Sequence, residues 1–333
     1  MSDVLLANPV LEDGWIDAAV GEAHLIRNNL LSICNLNDLM PQVTSDDLIY
    51  PFPNGYKPLV QFLEDQHHAP VIITNGAKQA LGACFYALSQ TGKTEIAMKS
   101  PHWALIPPLA QMHGVDSVFS EPNKNVQSYL LLAPNNPDGW MGDLDCADKF
   151  CKENNIPLIH DAAYYTHIYL PKHFELKAIG DAQIYSISKA LGLSGLRLGY
   201  IVCKNTEMYR HILNYMETMT VGVSKLPQIL LLNLFKFLDK DIKEQFEAKC
   251  RNDLLNNKLK IKEINSKILE IDSNVENIPG MFLWAKCKDF GAFEKAKLHI
   301  AGGKHFGNES YIRMNLGLQF EVIQEIVRRL NLL

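Results

Sequence analysis

The sequence predicts an α/β protein: a three-layer α/β/α large domain built on a mostly parallel sheet, with a smaller α/β domain beside it. Three observations predict this. Between about residues 70 and 203, short apolar runs alternate with segments of helical period; the chemically suggestive motifs fall where those runs end; and beyond residue 205 the chain becomes rich in Leu, Lys, Glu and Asn and poor in glycine. Regular alternation of strand and helix implies a sheet covered on both faces, with ligands bound beyond the carboxyl ends of its strands.

The elements follow in order. "PVIIT" (70–74) reads as a buried strand, and in the next stretch Ala77, Ala80, Leu81, Cys84, Phe85 and Leu88 carry the i, i+3, i+4 spacing of an amphipathic helix. Further strands are expected at 95–98, 117–120, 129–133, 156–160, 182–187 and 198–203, with a helix over 143–154. Residues 207–270 predict two or more long helices, followed by strands in "GMFLWAKC" (280–287) and "ESYIRMNLG" (309–317) and a closing amphipathic helix, "FEVIQEIVRRLNLL". The expected division is a large domain over 46–215 and a small domain formed by 1–45 with 216–333.

Composition excludes several classes. The 333 residues are 47% hydrophobic, enough for a substantial core, and the net charge of −5 comes with lysines and arginines spread along the chain. No basic stripe exists to hold a nucleic acid. No apolar run approaches the ~20 residues that span a bilayer, and the N-terminus lacks a secretory pattern, so no membrane association is expected. The seven cysteines, Cys34, Cys84, Cys146, Cys151, Cys203, Cys250 and Cys287, are scattered and include no C-x-x-C pair. They fit a reduced, cytoplasmic setting and no zinc site. The histidines show no metal-ligand spacing either, and "TGKT" (91–94) lacks the upstream glycine of a nucleotide-binding loop.

The most informative stretch is "SISKALGLSGLRLGY" (186–200), which sets Lys189 among small residues. Burial and neighbouring cations lower an amine's pKa and free its lone pair to attack a carbonyl. The hydroxyls of Ser186 and Ser188 and the forked guanidinium of Arg197 suit a phosphate. One ligand with both a carbonyl and a phosphate satisfies the whole set: pyridoxal 5′-phosphate (PLP).

The pattern S-x-S-K-x-x-G-x-x-G-x-R-x-G resembles the cofactor-lysine signature of fold-type I PLP enzymes, specifically the class I/II aminotransferases that include the aspartate and histidinol-phosphate enzymes. The resemblance makes Lys189 the internal-aldimine lysine and proton shuttle, with Ser186, Ser188 and Arg197 on the phosphate. Further motifs follow in the family's order from Tyr50 to Arg313. In "HDAAYY" (160–165) the resemblance implies Asp161 as partner of the pyridine nitrogen and Tyr164 as a donor to the phenolic oxygen, with His160 as a supporting group. In "APNNPDG" (133–139) it implies Asn136 on the same oxygen and near the substrate. "TNGAKQAL" (74–81) brings the backbone of Gly76, Ala77 and Lys78 to the phosphate at a helix start, and Lys78 stands where the family usually carries Ser or Thr. "SPHWAL" (100–105) supplies Trp103 to stack on the pyridine, and "YPFPNG" (50–55) supplies Tyr50 to the phosphate of a neighbouring subunit. "YIRMNLG" (311–317) supplies Arg313 for the substrate α-carboxylate, and "VGEA" (20–23) supplies Gly21 to the segment that closes over the substrate.

The implied activity is amino transfer between an L-amino acid and a 2-oxo acid, in a homodimer with composite active sites. A PLP-dependent lyase, decarboxylase or cyclase of the same fold is the alternative, because the cofactor stabilises any α-carbanion and the protein selects which bond breaks. No second cation for a dicarboxylate side chain can be assigned, which leaves the amino donor open.

Overall fold

A computed structural model describes residues 11–40 and 42–333. Residues 1–10 and Pro41, which fall in the segment expected to join the small domain, lie outside the described residues. The centre is a seven-stranded sheet in the order Val71–Thr74, Gly199–Cys203, Ala182–Ser186, Leu158–Asp161, Tyr129–Leu132, Glu95–Met98, Asp116–Phe119. Gly199–Cys203 runs antiparallel to both neighbours and the remaining pairings are parallel. Fully buried runs such as VIIT and YLLL follow from this, because helices cover both faces of the sheet.

Order and direction together place the site. The carboxyl ends of the parallel strands, at Thr74, Met98, Leu132, Asp161 and Ser186, open at one end of the sheet. The antiparallel strand begins at that same end, which brings Arg197, just before it, alongside them.

The helix Gly76–Gln90 buries the face predicted for it, including Ala80, Leu81, Cys84, Phe85 and Leu88. The polar-rich stretch after residue 205 forms three helices, Thr206–Thr220, Lys225–Phe237 and Lys240–Ile261. It ends earlier than its composition suggested, because Leu269–Glu270 forms an edge strand paired with Phe282–Cys287. That strand belongs to an antiparallel four-stranded sheet in the order Ala301–Gly302, Tyr311–Asn315, Phe282–Cys287, Leu269–Glu270. The closing helix, Phe320–Asn331, buries Ile323, Ile326, Val327 and Leu330 on one stripe, at up to about 1.5–3 kcal/mol for each full burial. No helix among the described residues is long and apolar enough to cross a membrane.

The N-terminal segment contributes more than its sequence announced. Ile16–Asp17 pairs in parallel with Leu298–His299, and the helix His24–Ile33 packs against Lys240–Ile261. Between them, residues 18–23 cross between the two sheets.

Candidate active site

Lys189 and Asp161 come from neighbouring strands. Asp161 ends Leu158–Asp161, and Lys189 sits in the short helical turn Ile187–Ala190 that follows Ala182–Ser186. The pairing of Asp161 with Ile184 fixes their register. Burial pushes the Asp161 carboxyl up to about 6, against the opposing pull of the Ala163 N–H, 3.1 Å from Oδ1, and of the Lys189 charge. Burial also brings the Lys189 amine down to about 8, helped by the positive charges of Arg313 and Arg197 and opposed by Glu22 and Asp161. Its Nζ donates to the Gly21 carbonyl oxygen. An amine lowered in this way is more often neutral near pH 7 than an ordinary lysine.

Tyr164 is buried in the turn after Asp161, edge-on to Tyr169 and Phe282 at ring centroid distances of 5.3 and 5.8 Å. Burial raises its phenol above the usual range, so it remains an O–H donor. His160 points away from the cleft into the sheet, bonded to Ala133 O at 2.7 Å and to the Gln183 amide at 3.0 Å. The first bond ties the strand carrying Asp161 to the turn carrying Asn136, and the second ties it to the neighbouring strand Ala182–Ser186.

Arg313 reaches the same cleft from the four-stranded sheet. It is 4% exposed and lies over the rings of Phe282 and Phe306, 4.3 and 4.7 Å from their centroids. One terminal nitrogen donates to Asn136 Oδ1 at 3.0 Å and the other donates to the Ala19 carbonyl oxygen. Its buried Nε has no partner. An unpaired donor on a buried guanidinium is costly, so a planar acceptor with two oxygens fits this place.

The phosphate-end residues form a second group. Gly76 opens its helix with φ +76°, and a Cβ there would lie 2.7 Å from an Arg197 terminal nitrogen. The guanidinium thus packs onto backbone that only glycine can present. Arg197 itself takes a left-handed conformation, φ 53°, and donates from Nη1 to Ser194 O at 3.0 Å. Ser186 and Ser188 are buried beside the lysine turn, and Ala77 and Lys78 follow Gly76 in the first helical turn. The Lys78 side chain is exposed, its ammonium 5.6 Å from the centroid of Trp103, which lies in the loop after Glu95–Met98. Tyr50 is not gathered in: it is 83% exposed, and among the described residues no hydrogen bond joins it to this cluster.

The sequence reading passed over Asn315, Glu22, Ala19 and Phe282, which line or brace the cleft. Asn315 carried a usable signal, since R-x-N on a strand puts both side chains on one face. Ala19 acts through its backbone carbonyl, Phe282 through its ring face and Glu22 through a carboxylate that only the tertiary fold brings near Lys189, none of which a motif encodes.

This arrangement fits PLP on structural grounds: a cationic cradle at a glycine-opened helix, a buried carboxyl and a depressed amine at adjacent strand ends, and an unsatisfied guanidinium opposite them. Among the described residues no group of three or more His, Cys, Asp or Glu side chains is placed to hold a metal ion.

Comparison with known proteins agrees. The chain is 26% identical over 283 residues to tryptophan aminotransferase-related protein 2 of Arabidopsis thaliana, covering 74% of this chain and 62% of that protein. It thus spans about three fifths of the length of such relatives. It is 34% identical over 116 residues to alliin lyase of Allium cepa var. aggregatum, covering 35% of this chain and 24% of the lyase. The fold superimposes on N-succinyldiaminopimelate aminotransferase of Mycobacterium tuberculosis with a TM-score of 0.76 at 16% identity, covering 96% of this chain and 93% of that one. A protein-family description, "Allinase", matches residues 63–331. The chain belongs to the allinase family, within the PLP-dependent enzymes of fold type I.

Proposed function

We propose that this enzyme is an aminotransferase, moving an amino group between an L-amino acid and a 2-oxo acid with Lys189 as its cofactor lysine. The observation that carries the reading is the depressed Lys189 amine and the buried, incompletely paired Arg313 guanidinium facing one cleft.

When bound, PLP supplies an electron sink for the pair released as a substrate Cα–H bond breaks. The residues do the rest. Backbone N–H groups of Gly76, Ala77 and Lys78, the Ser186 and Ser188 hydroxyls and the Arg197 guanidinium hold the phosphate. The Asp161 carboxylate favours a proton on the pyridine nitrogen. Asn136 and Tyr164 would donate to the phenolic oxygen, and Trp103 would stack on the ring. Arg313 takes both oxygens of the substrate carboxylate, and Gly21 lies in the segment closing over them. Lys189 Nζ would accept the Cα proton and deliver it to the cofactor's aldehyde carbon rather than back to Cα; with a pKa of about 8 it is well matched to neutral or mildly alkaline pH.

The donor suggested is an amino acid with an apolar or aromatic side chain. Phe282 and Phe306 pack against the Arg313 guanidinium and Tyr164 lies edge-on to Phe282, an aromatic surround for the carboxylate site, and the Arabidopsis relatives are named for tryptophan. A PLP-dependent lyase is the second reading, favoured by the family description and the similarity to alliin lyase. We further read the chain as two domains, 46–215 and 1–45 with 216–333, acting as a homodimer in which Tyr50 reaches a second copy's phosphate site. Seven free cysteines support a reducing, cytoplasmic setting.

The test is a donor screen with 2-oxoglutarate as acceptor, following cofactor absorbance and products. Transfer requires glutamate to appear with the new 2-oxo acid. Ammonia or a thiol-derived product released without any acceptor selects the lyase instead. Lys189→Ala loses both turnover and the lysine-linked absorbance band, and a variant that still transfers at the normal rate overturns the reading.

A further inference from the structure

We infer that Asn315 is a positioning residue that latches residues 18–22 in the one register that serves Lys189 and Arg313. The inference rests on the functional reading above, and it concerns a residue that touches neither cofactor nor substrate.

Asn315 ends the strand that carries Arg313 and is fully buried. Its side-chain amide donates to Val20 O at 2.7 Å and Glu22 O at 2.8 Å, its Oδ1 accepts from Gly317 N at 2.8 Å, and its backbone N–H donates to Ala18 O at 2.7 Å. The amide orientation is fixed by these partners, since the flipped group would set its oxygen against two carbonyl oxygens. The carbonyls of residues 18, 20 and 22 are therefore all turned to Asn315. Those between them, at Ala19 and Gly21, accept from Arg313 and Lys189 respectively.

Alternation is the point. A slip of one residue would exchange the two sets of carbonyls, taking from Lys189 its Gly21 acceptor and from Arg313 the Ala19 one, with only its bond to Asn136 left. The segment is held at its start as well, where Asp17 Oδ1 accepts from Ala19 N at 3.0 Å and Val20 N at 3.3 Å and pairs with His299 Nδ1 at 3.0 Å. Yet among the described residues only Asn315 reaches the carbonyls flanking Gly21. Gly21 also has little room to wander, because a Cβ there would lie 3.2 Å from the Phe282 ring and 3.6 Å from Lys189 Nζ.

The consequence is an acceptor of fixed position opposite the shuttling amine. When Lys189 is protonated, the Gly21 carbonyl orients its ammonium; release of the latch leaves the amine in several orientations and slows proton transfer more than binding.

Asn315→Leu, of similar volume without polar atoms, tests this. In cofactor-free protein, amide hydrogen exchange read by mass spectrometry is expected to rise about tenfold to thirtyfold in peptides covering 17–25, with the helix 320–331 unchanged. The pH midpoint for acylation of Lys189 is expected to fall below the wild-type value, because the ammonium has lost an acceptor. In the holoenzyme kcat is expected to drop about 100-fold, with KM changed far less. Asn315→Ser keeps one donor and is expected to restore part of each effect, and it carries the same comparison if the leucine variant does not fold. Wild-type exchange at 17–25 with a wild-type Lys189 midpoint overturns the inference. A wild-type chain that binds no PLP at Lys189 overturns the functional reading alone, because exchange and labelling are read without cofactor.

Discussion

Arg313 and Lys189, from different sheets, donate to carbonyls two residues apart on a single stretch of backbone, Ala19 and Gly21. Two cations held this close raise the energy of each other's charged form. Burial is the larger influence on Lys189, and Arg313 the next. Replacing Arg313 by leucine should therefore move the Lys189 midpoint up from about 8, toward the ordinary 10.5 without reaching it. The pH dependence of Lys189 acylation in cofactor-free protein checks this. The same variant should lower kcat/KM for amino acids by about 10²–10³, chiefly through KM, because a carboxylate loses its forked partner. An unmoved midpoint would mean that the amine is depressed by burial alone.

Asp161 and Lys189 give the cofactor-free chain a stability profile with two opposed slopes. The folded Asp161 carboxyl titrates near 6, whereas the unfolded one titrates near 3.8. Between those values the folded chain holds the extra proton, so stability falls as pH rises, by on the order of 3 kcal/mol in total. For Lys189 the folded value of about 8 lies below 10.5, the unfolded chain holds the extra proton between them, and stability rises with pH. Denaturant titrations from pH 4 to 10 should show both limbs. Asp161→Asn should flatten the acidic one and Lys189→Met the alkaline one.

How much of this was legible in the sequence depends on what each residue needs from its neighbours. The strand ends beside which Asp161, Lys189 and Asn136 sit were readable from the change from apolar runs to glycine and polar residues, whereas the roles expected of Asp161 and Asn136 came from the resemblance of their motifs to a family pattern. The helix Gly76–Gln90 was readable from period alone. By contrast, Ile16–Asp17 is two residues long and pairs with Leu298–His299, nearly the whole chain away, so no local pattern could announce it. Glu22 offered no local pattern either: its Oε1 accepts from Ser194 Oγ at 2.9 Å, a contact that only the tertiary fold creates. The edge strand Leu269–Glu270 was lost within a helix-rich composition for the same reason.

Gly76 is a position where backbone and ligand site coincide. An added methyl meets the Arg197 guanidinium at 2.7 Å and also forces φ +76° on a residue with a side chain. Gly76→Ala should cost about 1 kcal/mol or more in the cofactor-free chain and displace Arg197 from the helix start. Cofactor affinity should fall about tenfold, measured by fluorescence quenching on titration with PLP, while the Lys189 acylation midpoint shifts little. Unchanged affinity would place the phosphate elsewhere.

Tyr50 lies within an apolar surface whose exposure calls for a cover. Leu48, Ile49, Tyr50 and Phe52 are 72, 64, 83 and 65% exposed, and Met219 and Val221 are 60 and 41% exposed. Gly222, beside the latter pair, packs so closely on Phe52 that a Cβ would meet its carbonyl oxygen at 2.6 Å, so the two exposed groups are parts of one surface. A contiguous apolar surface of this kind favours association. In the homodimer proposed above, a second copy of the chain would cover it and, in the same act, bring its own Tyr50 toward the phosphate cradle. Ile49→Asp should shift sedimentation from dimer to monomer, and the monomer should bind PLP more weakly although its own Lys189 and Arg197 are intact. Tyr50→Phe should remain dimeric and lose a smaller part of that affinity, about tenfold or less, as expected for one hydrogen bond to a charged oxygen. A monomer that binds PLP as tightly as the dimer would make each site self-sufficient and leave Tyr50 as a packing residue.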